Sequence, residues 1–259
     1  MSGSRLPLAG RGIVITRPAH QAQALAELIR AAGGNPILFP VLEILDAEDL
    51  KPLQALIDRL DEFDLAVFIS PNAVNKAMNL IAARRQLPSG LRFAAIGRSS
   101  VKELRHFGVT RVIAPEKKFD SEALLTLAEL RDVAGKRIVI FRGDGGRELL
   151  GDTLAARGAT VEYAECYRRC KPNLDTAPLM KAWARSELHA IIVTSSEGLH
   201  NLFDMVGNLG QTWLRKTPVF APHSRIAETA RALGLLAVVE TDPGDEGIVA
   251  GLERYFGSA

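Results

Sequence analysis

The chain of 259 residues carries 32 lysines and arginines against 30 aspartates and glutamates, and 47% of its residues are hydrophobic. A net charge of +2 without a basic block excludes the electrostatic footprint of a nucleic-acid-binding protein, and the hydrophobic share suffices for a normal core. Because the sequence has no apolar run of about 18 residues and no signal-peptide pattern, we expect a cytoplasmic protein that does not enter a membrane.

Strands and helices alternate along the first half of the chain, which predicts a parallel α/β sheet with right-handed crossovers. Strands are predicted over residues 13–16, 65–69, 93–96 and 111–113, with a longer extended segment over 36–45. Helices are predicted over residues 19–32, 50–60, 71–83, 99–107 and 121–131.

The middle of the chain contains its clearest motif. Four consecutive apolar residues, Ile138 to Phe141, predict a strand that is buried on both faces. A glycine-rich turn, a helix that ends near Gly158 and an extended segment over 160–172 follow it. Beyond it the alternation continues, with helices over 177–187, 197–206, 224–233 and 246–256 and strands over 190–194, 218–220 and 236–239.

The two halves are copies of one module at a spacing of 125 residues. Ile13 corresponds to Ile138, and Gly33 to Gly158, while the segment 64–70 corresponds to 189–195. The joint over 132–136 between the copies is short, as a turn inside one domain would be. The long extended segments lie elsewhere, so an interleaved chain is favoured over two sequential domains.

The interleaved arrangement assigns residues 1–40 and 170–259 to a first domain and 45–165 to a second. Interdomain linkers are then expected at 40–46 and 165–172. Each domain is predicted to hold a five-stranded flavodoxin-like sheet, the second a circular permutation of the first.

An ordered set of segments resembles the uroporphyrinogen-III synthase family over residues 12–256. The segments are 15–18 (Ile-Thr-Arg-Pro), 39–44 (Phe-Pro-Val-Leu-Glu-Ile), 69–74 (Ile-Ser-Pro-Asn-Ala-Val), 141–149 (Phe-Arg-Gly-Asp-Gly-Gly-Arg-Glu-Leu) and 163–169 (Tyr-Ala-Glu-Cys-Tyr-Arg-Arg). The resemblance implies two flavodoxin-like (Rossmann-like) domains joined by a two-strand linker, with the active site in the cleft between them.

The resemblance also implies a lyase of porphyrin, tetrapyrrole and heme biosynthesis. Such an enzyme closes hydroxymethylbilane into uroporphyrinogen III, inverting the last pyrrole ring and losing water, with no metal and no organic cofactor. We expect a monomer whose partner is this small-molecule substrate. The reaction needs an acid near the departing hydroxyl and local donors for the substrate's eight carboxylates. Helix N-termini at the carboxyl ends of parallel strands supply such donors.

Tyr167 falls where the resemblance places an active-site tyrosine, and it is the predicted catalytic residue. Its phenol would protonate or orient the leaving hydroxyl; alternatively, it is an amphipathic residue at a domain joint. Arg142, Gly143 and Gly146 form the loop after the central strand and are candidates for binding substrate carboxylates. A tight strand-to-helix turn would need these glycines in any case, and the loop lacks a full dinucleotide-binding pattern.

The remaining substrate-binding candidates end strands or begin helices. Thr16 and Arg17 occupy the same loop in the first copy; the arginine is also compatible with a solvated surface charge. The hydroxyl-bearing candidates are Ser70, Thr194, Ser195, Ser196 and Ser224, several of which an N-cap role would explain equally well.

Two other function classes share these features. A non-catalytic two-domain protein that binds a polycarboxylate or tetrapyrrole would have the same hinge and anion-binding loops. A nucleotide-dependent transferase is disfavoured, because the sequence lacks Walker and full Rossmann motifs. The five histidines are scattered without metal-ligand spacing, so no metal site is expected.

Overall fold

The structure is a computed structural model that describes residues 6–145 and 148–257. The candidate Gly146 therefore lies outside the described residues. The strands are β1 Gly12–Ile15, β2 Asn35–Leu38, β3 Glu43–Asp46, β4 Leu65–Phe68, β5 Arg92–Ala95, β6 Arg137–Gly143, β7 Thr160–Cys170, β8 Leu188–Ile192, β9 Val219–Ala221 and β10 Val238–Glu240. The helices are α1 Ala19–Ala31, α2 Lys51–Asp58, α3 Pro71–Arg84, α4 Arg98–His106, α5 Ser121–Leu125, α6 Ala128–Arg131, α7 Leu149–Ala156, α8 Ala177–Ala184, α9 Ser196–Leu214, α10 Ser224–Ala232 and α11 Asp245–Gly257.

The chain divides into two compact units, each built on one sheet. The first unit comprises residues up to 43 and from 170 onward, and the second comprises Ile44–Arg169. The first sheet has the strand order β10-β9-β8-β1-β2, and the second has the order β3-β7-β6-β4-β5. Strand β1 therefore shares its sheet with β8 rather than with β4, as an interleaved chain requires. The predicted α/β class with two parallel sheets is confirmed.

The duplication is visible in the order of the strands. A shift of 125 residues carries β1 onto β6, β2 onto β7, β8 onto β4 and β9 onto β5, and the neighbours remain the same. In the first unit this gives the flavodoxin order 2-1-3-4-5. All of these neighbours pair in parallel. The second sheet differs at its edges, where β3 is added beside β7.

The prediction of a strand over 111–113 is wrong, because this segment forms no regular strand. It contributes a single parallel bridge between Ala94 and Ile113, where β10 stands in the first unit. Ile113 donates to the carbonyl of Phe93 at 2.8 Å and accepts from Ala95 at 2.9 Å. Pro115 has no backbone N–H, which prevents the ladder from continuing.

Three further predicted elements need correction. The helix expected over 121–131 is two short helices, because Thr126 bonds back to the carbonyl of Ala123 at 2.7 Å and Leu127 is extended. The segment 36–45 is two strands in different sheets: Phe39 and Val41 still donate to the carbonyls of Ile15 and Thr16 at 3.0 and 3.1 Å, and the chain then enters the second sheet as β3. Helix α9 runs beyond residue 206 to Leu214, with a break at Gly207, where φ is 62°.

Both sheets are covered by helices on two faces, which explains the continuous apolar runs in the central strands. All four residues of β1 and of β4 are buried. In the second unit the rings of Phe68 and Phe141, on adjacent strands, stack at a centroid distance of 4.7 Å. Within the described ranges, no helix combines the length and the apolar character that a bilayer-spanning segment requires.

Candidate active site

The carboxyl ends of the parallel strands in the second unit carry the turns that lead into helices. Strand β4 leads through Ser70 into α3, β5 leads through Gly97 into α4, and β6 leads into the loop that begins at Asp144. In flavodoxin-like sheets ligands bind at this edge, at the switch point. There, two neighbouring parallel strands continue to their next strands on opposite sides of the sheet. In the second unit that point lies between β4 and β6.

Tyr167 reaches this edge because strand β7 contains a bulge. Arg142 of β6 is in register with Glu165, but the next residue, Gly143, is in register with Tyr167, so Cys166 is the extra residue. A bulge of this kind turns the side chains that follow it. Cys166 points into the core, and burial raises the pKa of its thiol to about 12.

The phenol of Tyr167 is fixed by two contacts. Its side chain is only 5% exposed, and its ring lies on Gly143, where a β-carbon would come within 2.6 Å of the ring atom Cε2. Its hydroxyl oxygen lies 3.0 Å from Oγ of Ser70. These two hydroxyls belong to residues that are 97 positions apart in sequence, and both were candidates. The structure therefore brings the predicted catalytic residue and one predicted binding residue together.

Ser70 is also the N-cap of α3. Its backbone is extended, and its Oγ accepts the backbone N–H of Ala73 at 3.1 Å. Proline at the first helical position suits this start, because its fixed φ fits the helix and its missing donor has no intrahelical partner there. The cap therefore holds the Ser70 hydroxyl at the positive end of the helix dipole.

Arg142 is buried rather than directed to solvent. It is 5% exposed, its guanidinium lies 4.7 Å above the centre of the Tyr163 ring, and its Nε donates to the carbonyl of Gly143 at 3.3 Å. Burial raises the pKa of Tyr163, and the neighbouring charge of Arg142 opposes this shift. This position suits an arginine that supports the loop, and the direct carboxylate contact stays a prediction.

A cleft of about 700 Å³ opens beside Tyr167 within the second unit. Its polar lining includes four carboxylate residues, Glu48, Asp49, Asp144 and Glu165, and two arginines, Arg168 and Arg169. Asp144 is tied to the strand, because its Oδ1 accepts the backbone N–H of Arg169 at 2.9 Å. Among the described residues that line this cleft, carboxylates therefore outnumber arginines by four to two, although Glu48 pairs with Arg168 at 3.7 Å.

The first-unit candidates after β1 both have protein partners. Thr16 is buried, and its hydroxyl donates to the carbonyl of Ile192 on β8 at 2.8 Å. Arg17 pairs with Asp245, at the start of α11, with 2.5 Å between Nη1 and Oδ1. Thr16 thus joins two strands, and Arg17 joins the loop to a helix.

The four remaining candidates lie at the starts of α9 and α10. Ser195 caps α9 by accepting the N–H of Gly198 at 2.9 Å, and Ser196 lies 3.0 Å from the hydroxyl of Thr229. Thr194 is half-buried before the cap, and Ser224 is exposed in the first turn of α10. Their binding roles stay predictions.

Sequence reasoning did not single out Asp144 or the first turn of α4. Ser99 stands there, exposed, at the carboxyl edge of the second sheet. A signal for it existed: the spacing of 125 residues relates Ser99 to the candidate Ser224.

Comparison with known proteins identifies the family to which the chain is similar. The family model described as "Uroporphyrinogen-III synthase HemD" matches residues 23–250. The chain is 34% identical over 235 residues to uroporphyrinogen-III synthase of Escherichia coli, covering 90% of this chain and 96% of that protein. It is 37% identical to the Salmonella typhimurium enzyme with the same coverage.

The chain belongs to the uroporphyrinogen-III synthase family. Solved structures support the family's fold: a mutant enzyme from Thermus thermophilus matches with a TM-score of 0.66 at 18% identity, covering 96% of this chain and 100% of that one. The Helicobacter pylori enzyme matches with a TM-score of 0.59 at 15% identity and the same coverage. The alternative of a non-catalytic binding protein is not favoured, because these relatives are named as enzymes.

Proposed function

We propose that this chain is a uroporphyrinogen-III synthase, which closes hydroxymethylbilane into uroporphyrinogen III with inversion of the last ring and loss of water. The observation that carries the proposal is the Tyr167 hydroxyl, held 3.0 Å from Ser70 at the switch point of the second sheet. Departure of the substrate hydroxyl needs a proton, and a positioned phenol is a suitable donor. The named relatives of the chain support the same assignment.

The charges beside Tyr167 suit the intermediate better than the substrate's side chains. Loss of the hydroxyl leaves an azafulvene cation, which the last pyrrole ring attacks to give a spiro intermediate. Four carboxylate residues against two arginines in the adjacent cleft favour a cation and disfavour the substrate's carboxylates. We therefore propose that the reacting end of the bilane, rather than its carboxylate-bearing periphery, lies near this cleft.

The substrate's carboxylates are then held by the backbone N–H groups at the starts of helices. Helices α4, α9 and α10 begin directly after strands, so their first N–H groups face the carboxyl edges of their own sheets. The hydroxyls of Ser195, Ser196 and Ser224 add donors at two of these starts. This assignment explains how a chain with a net charge of only +2 binds a polyanion.

Isomer analysis tests the proposed function. The purified protein is incubated with hydroxymethylbilane made in place by its synthase, and the products are oxidised and separated as the type I and type III isomers. We expect predominantly type III. Type I alone, at the rate of the reaction without protein, would show that the chain is not this enzyme, and measurable binding of the bilane without closure would identify a binding protein.

We also propose that the enzyme acts as a monomer in the cytoplasm. The absence of a long apolar run in the sequence supports the cytoplasmic location. Size-exclusion chromatography with light scattering tests the oligomeric state, for which a mass near 28.1 kDa is expected.

A further inference from the structure

The hydroxyls of Ser70 and Tyr167 can share a proton in two directions. Their oxygens lie 3.0 Å apart, and either atom can be the donor. The direction matters because a phenol has a single proton. A Tyr167 that donates to Ser70 has no proton left for a substrate, whereas a Tyr167 that accepts from Ser70 keeps its proton available.

The start of α3 fixes the direction. The N–H of Ala73 already donates to Ser70 Oγ at 3.1 Å, and the helix dipole places positive potential at this oxygen. Both effects favour a serine proton that points away from the helix, toward the acceptor at 3.0 Å, which is the Tyr167 oxygen. Among the described residues, neither hydroxyl has another hydrogen-bond acceptor that would compete.

We propose that Ser70 is a positioning residue that donates to Tyr167, so that the chain from Ala73 N–H through both hydroxyls ends on the departing hydroxyl of the substrate. This inference rests on the proposed function. Hydrogen bonds arranged head to tail strengthen one another, so each donor in the chain makes the next a better donor. Gly143 is part of the arrangement as well, because the Tyr167 ring occupies the space that a side chain at residue 143 would need.

The proton balance closes without another reactant. Tyr167 gives its proton to the substrate hydroxyl, the carbon–oxygen bond breaks, and water leaves. The substrate is then an azafulvene cation, and Tyr167 is a phenolate. The phenolate accepts a charge-assisted hydrogen bond from Ser70, which is stronger than the neutral one it replaces. After the spiro intermediate has opened and the ring has closed again, the pyrrole carbon loses a proton, which restores the phenol.

Two substitutions at residue 70 separate the donor role from the helix cap. Ser70→Thr keeps both the cap and the hydroxyl donor. Ser70→Gly removes the hydroxyl, but glycine is itself a tolerable N-cap and fits the extended backbone there. Asp120→Ala is the control for cap loss alone, because Asp120 caps α5 through the Ala123 N–H at 2.7 Å and is not a site candidate.

The readout is kcat and KM for type III formation, measured with a thermal melt of each variant. We expect Ser70→Thr within about threefold of the wild type, Ser70→Gly at least about tenfold lower in kcat with little change in KM, and Asp120→Ala at the wild-type rate. Equal kcat for the threonine and glycine variants would overturn the proposal. A large loss for Ser70→Gly together with a fully active Tyr167→Phe would also overturn it, since Ser70 would then act on its own. A wild-type protein that forms no type III isomer would instead remove the proposed function.

Discussion

The carboxyl edges of the two sheets are built from the same elements, but among the described residues only the second copy carries a phenol there. Ser70 and Ser195 occupy the same position, 125 residues apart, and each caps its helix with a bond to the third backbone N–H after it. Tyr167 corresponds to Leu42 in the first copy, and Gly143 corresponds to Pro18. Both copies therefore have a serine cap at this helix start, whereas the phenol and the space for its ring belong to the second copy.

The opposite edges of the two sheets differ as well. In the second copy Glu162 accepts hydrogen bonds from Arg59 and Arg137, and Arg137 also pairs with Glu62 at 2.6 Å. The first copy has Gly12 and Ile37 at the positions of Arg137 and Glu162. A β-carbon on Gly12 would lie 1.9 Å from the carbonyl oxygen of Glu187, so a side chain does not fit there. An ion-pair network holds this edge in the second copy and close backbone packing holds it in the first.

The largest expected effect is that of Tyr167→Phe, which removes the feature that only the second copy has. General acid assistance is worth about 10²–10⁴-fold, so we expect kcat for type III formation to fall by that factor. Spontaneous closure then raises the share of type I. The control is Tyr255→Phe on helix α11, because Tyr255 is 40% exposed and does not line the cleft beside Tyr167. Arg142→Ala, Ser195→Ala and Ser224→Ala are each expected to lose less than Tyr167→Phe; a folded Tyr167→Phe near the wild-type rate would remove the phenol as the acid.

Gly143→Ala is expected to have the second-largest effect, because the new methyl group would occupy the place of the Tyr167 ring. Overpacking of this kind costs about 1–3 kcal/mol of stability, and we expect a loss of roughly tenfold or more in kcat as the ring is displaced. Gly90→Ala is the matched control, since a β-carbon there meets no atom within 4 Å. Chemical denaturation and isomer-resolved kinetics are measured for both. Wild-type kinetics for Gly143→Ala would contradict the fixed position of the ring.

Ser195→Ala measures how much a serine cap contributes to stability and turnover in the first copy, where, among the described residues, no tyrosine hydroxyl contacts the serine. Loss of a serine N-cap typically costs about 1 kcal/mol, and Ser70→Ala should lose a similar amount of stability. We expect the two variants to differ in turnover, with the smaller loss for Ser195→Ala. Similar losses of turnover for both would indicate that the two copies contribute equally to the chemistry.

The smallest effect is expected for Glu162→Gln, which weakens the network that only the second copy has. Burial raises the pKa of Glu162, but the hydrogen bonds and charges of Arg59 and Arg137 outweigh it and hold the pKa below the ordinary value of 4.5. A carboxyl group with a lowered pKa stabilises the fold fully above its unfolded pKa, and this contribution is lost as the pH falls through the folded value. We therefore expect a loss of at most about 1 kcal/mol near pH 7 that disappears in acid. A loss that is independent of pH would assign it to packing.

Much of the fold could be predicted because the repeat and the apolar strands are local signals. The spacing of 125 residues revealed the duplication, and the extended segments indicated an interleaved chain. The errors fell where local patterns do not decide the outcome. Pro115 stops the ladder after Ile113, and Gly207 breaks a helix without ending it.

The site was predictable as a set of residues but not as an arrangement. The sequence predicted Ser70 and Tyr167 separately as site residues. Their contact, however, depends on the order of the strands and on a bulge at Cys166, which no sequence pattern predicts. Arg142 illustrates the converse. Its place after a buried strand predicted that it binds a substrate carboxylate, which stays a prediction, but the contact of its side chain with the Tyr163 ring could not be foreseen from the sequence.

The most direct test of the central claim is a double-mutant cycle between Ser70 and Tyr167. Isomer-resolved kcat is measured for the wild type, Ser70→Ala, Tyr167→Phe and the double variant, each with a thermal melt. Residues that act as one unit are non-additive, so we expect the double variant to be no slower than Tyr167→Phe alone. Additive losses, with the double variant slower by the product of the two single effects, would show that the hydroxyls act independently and would contradict the account.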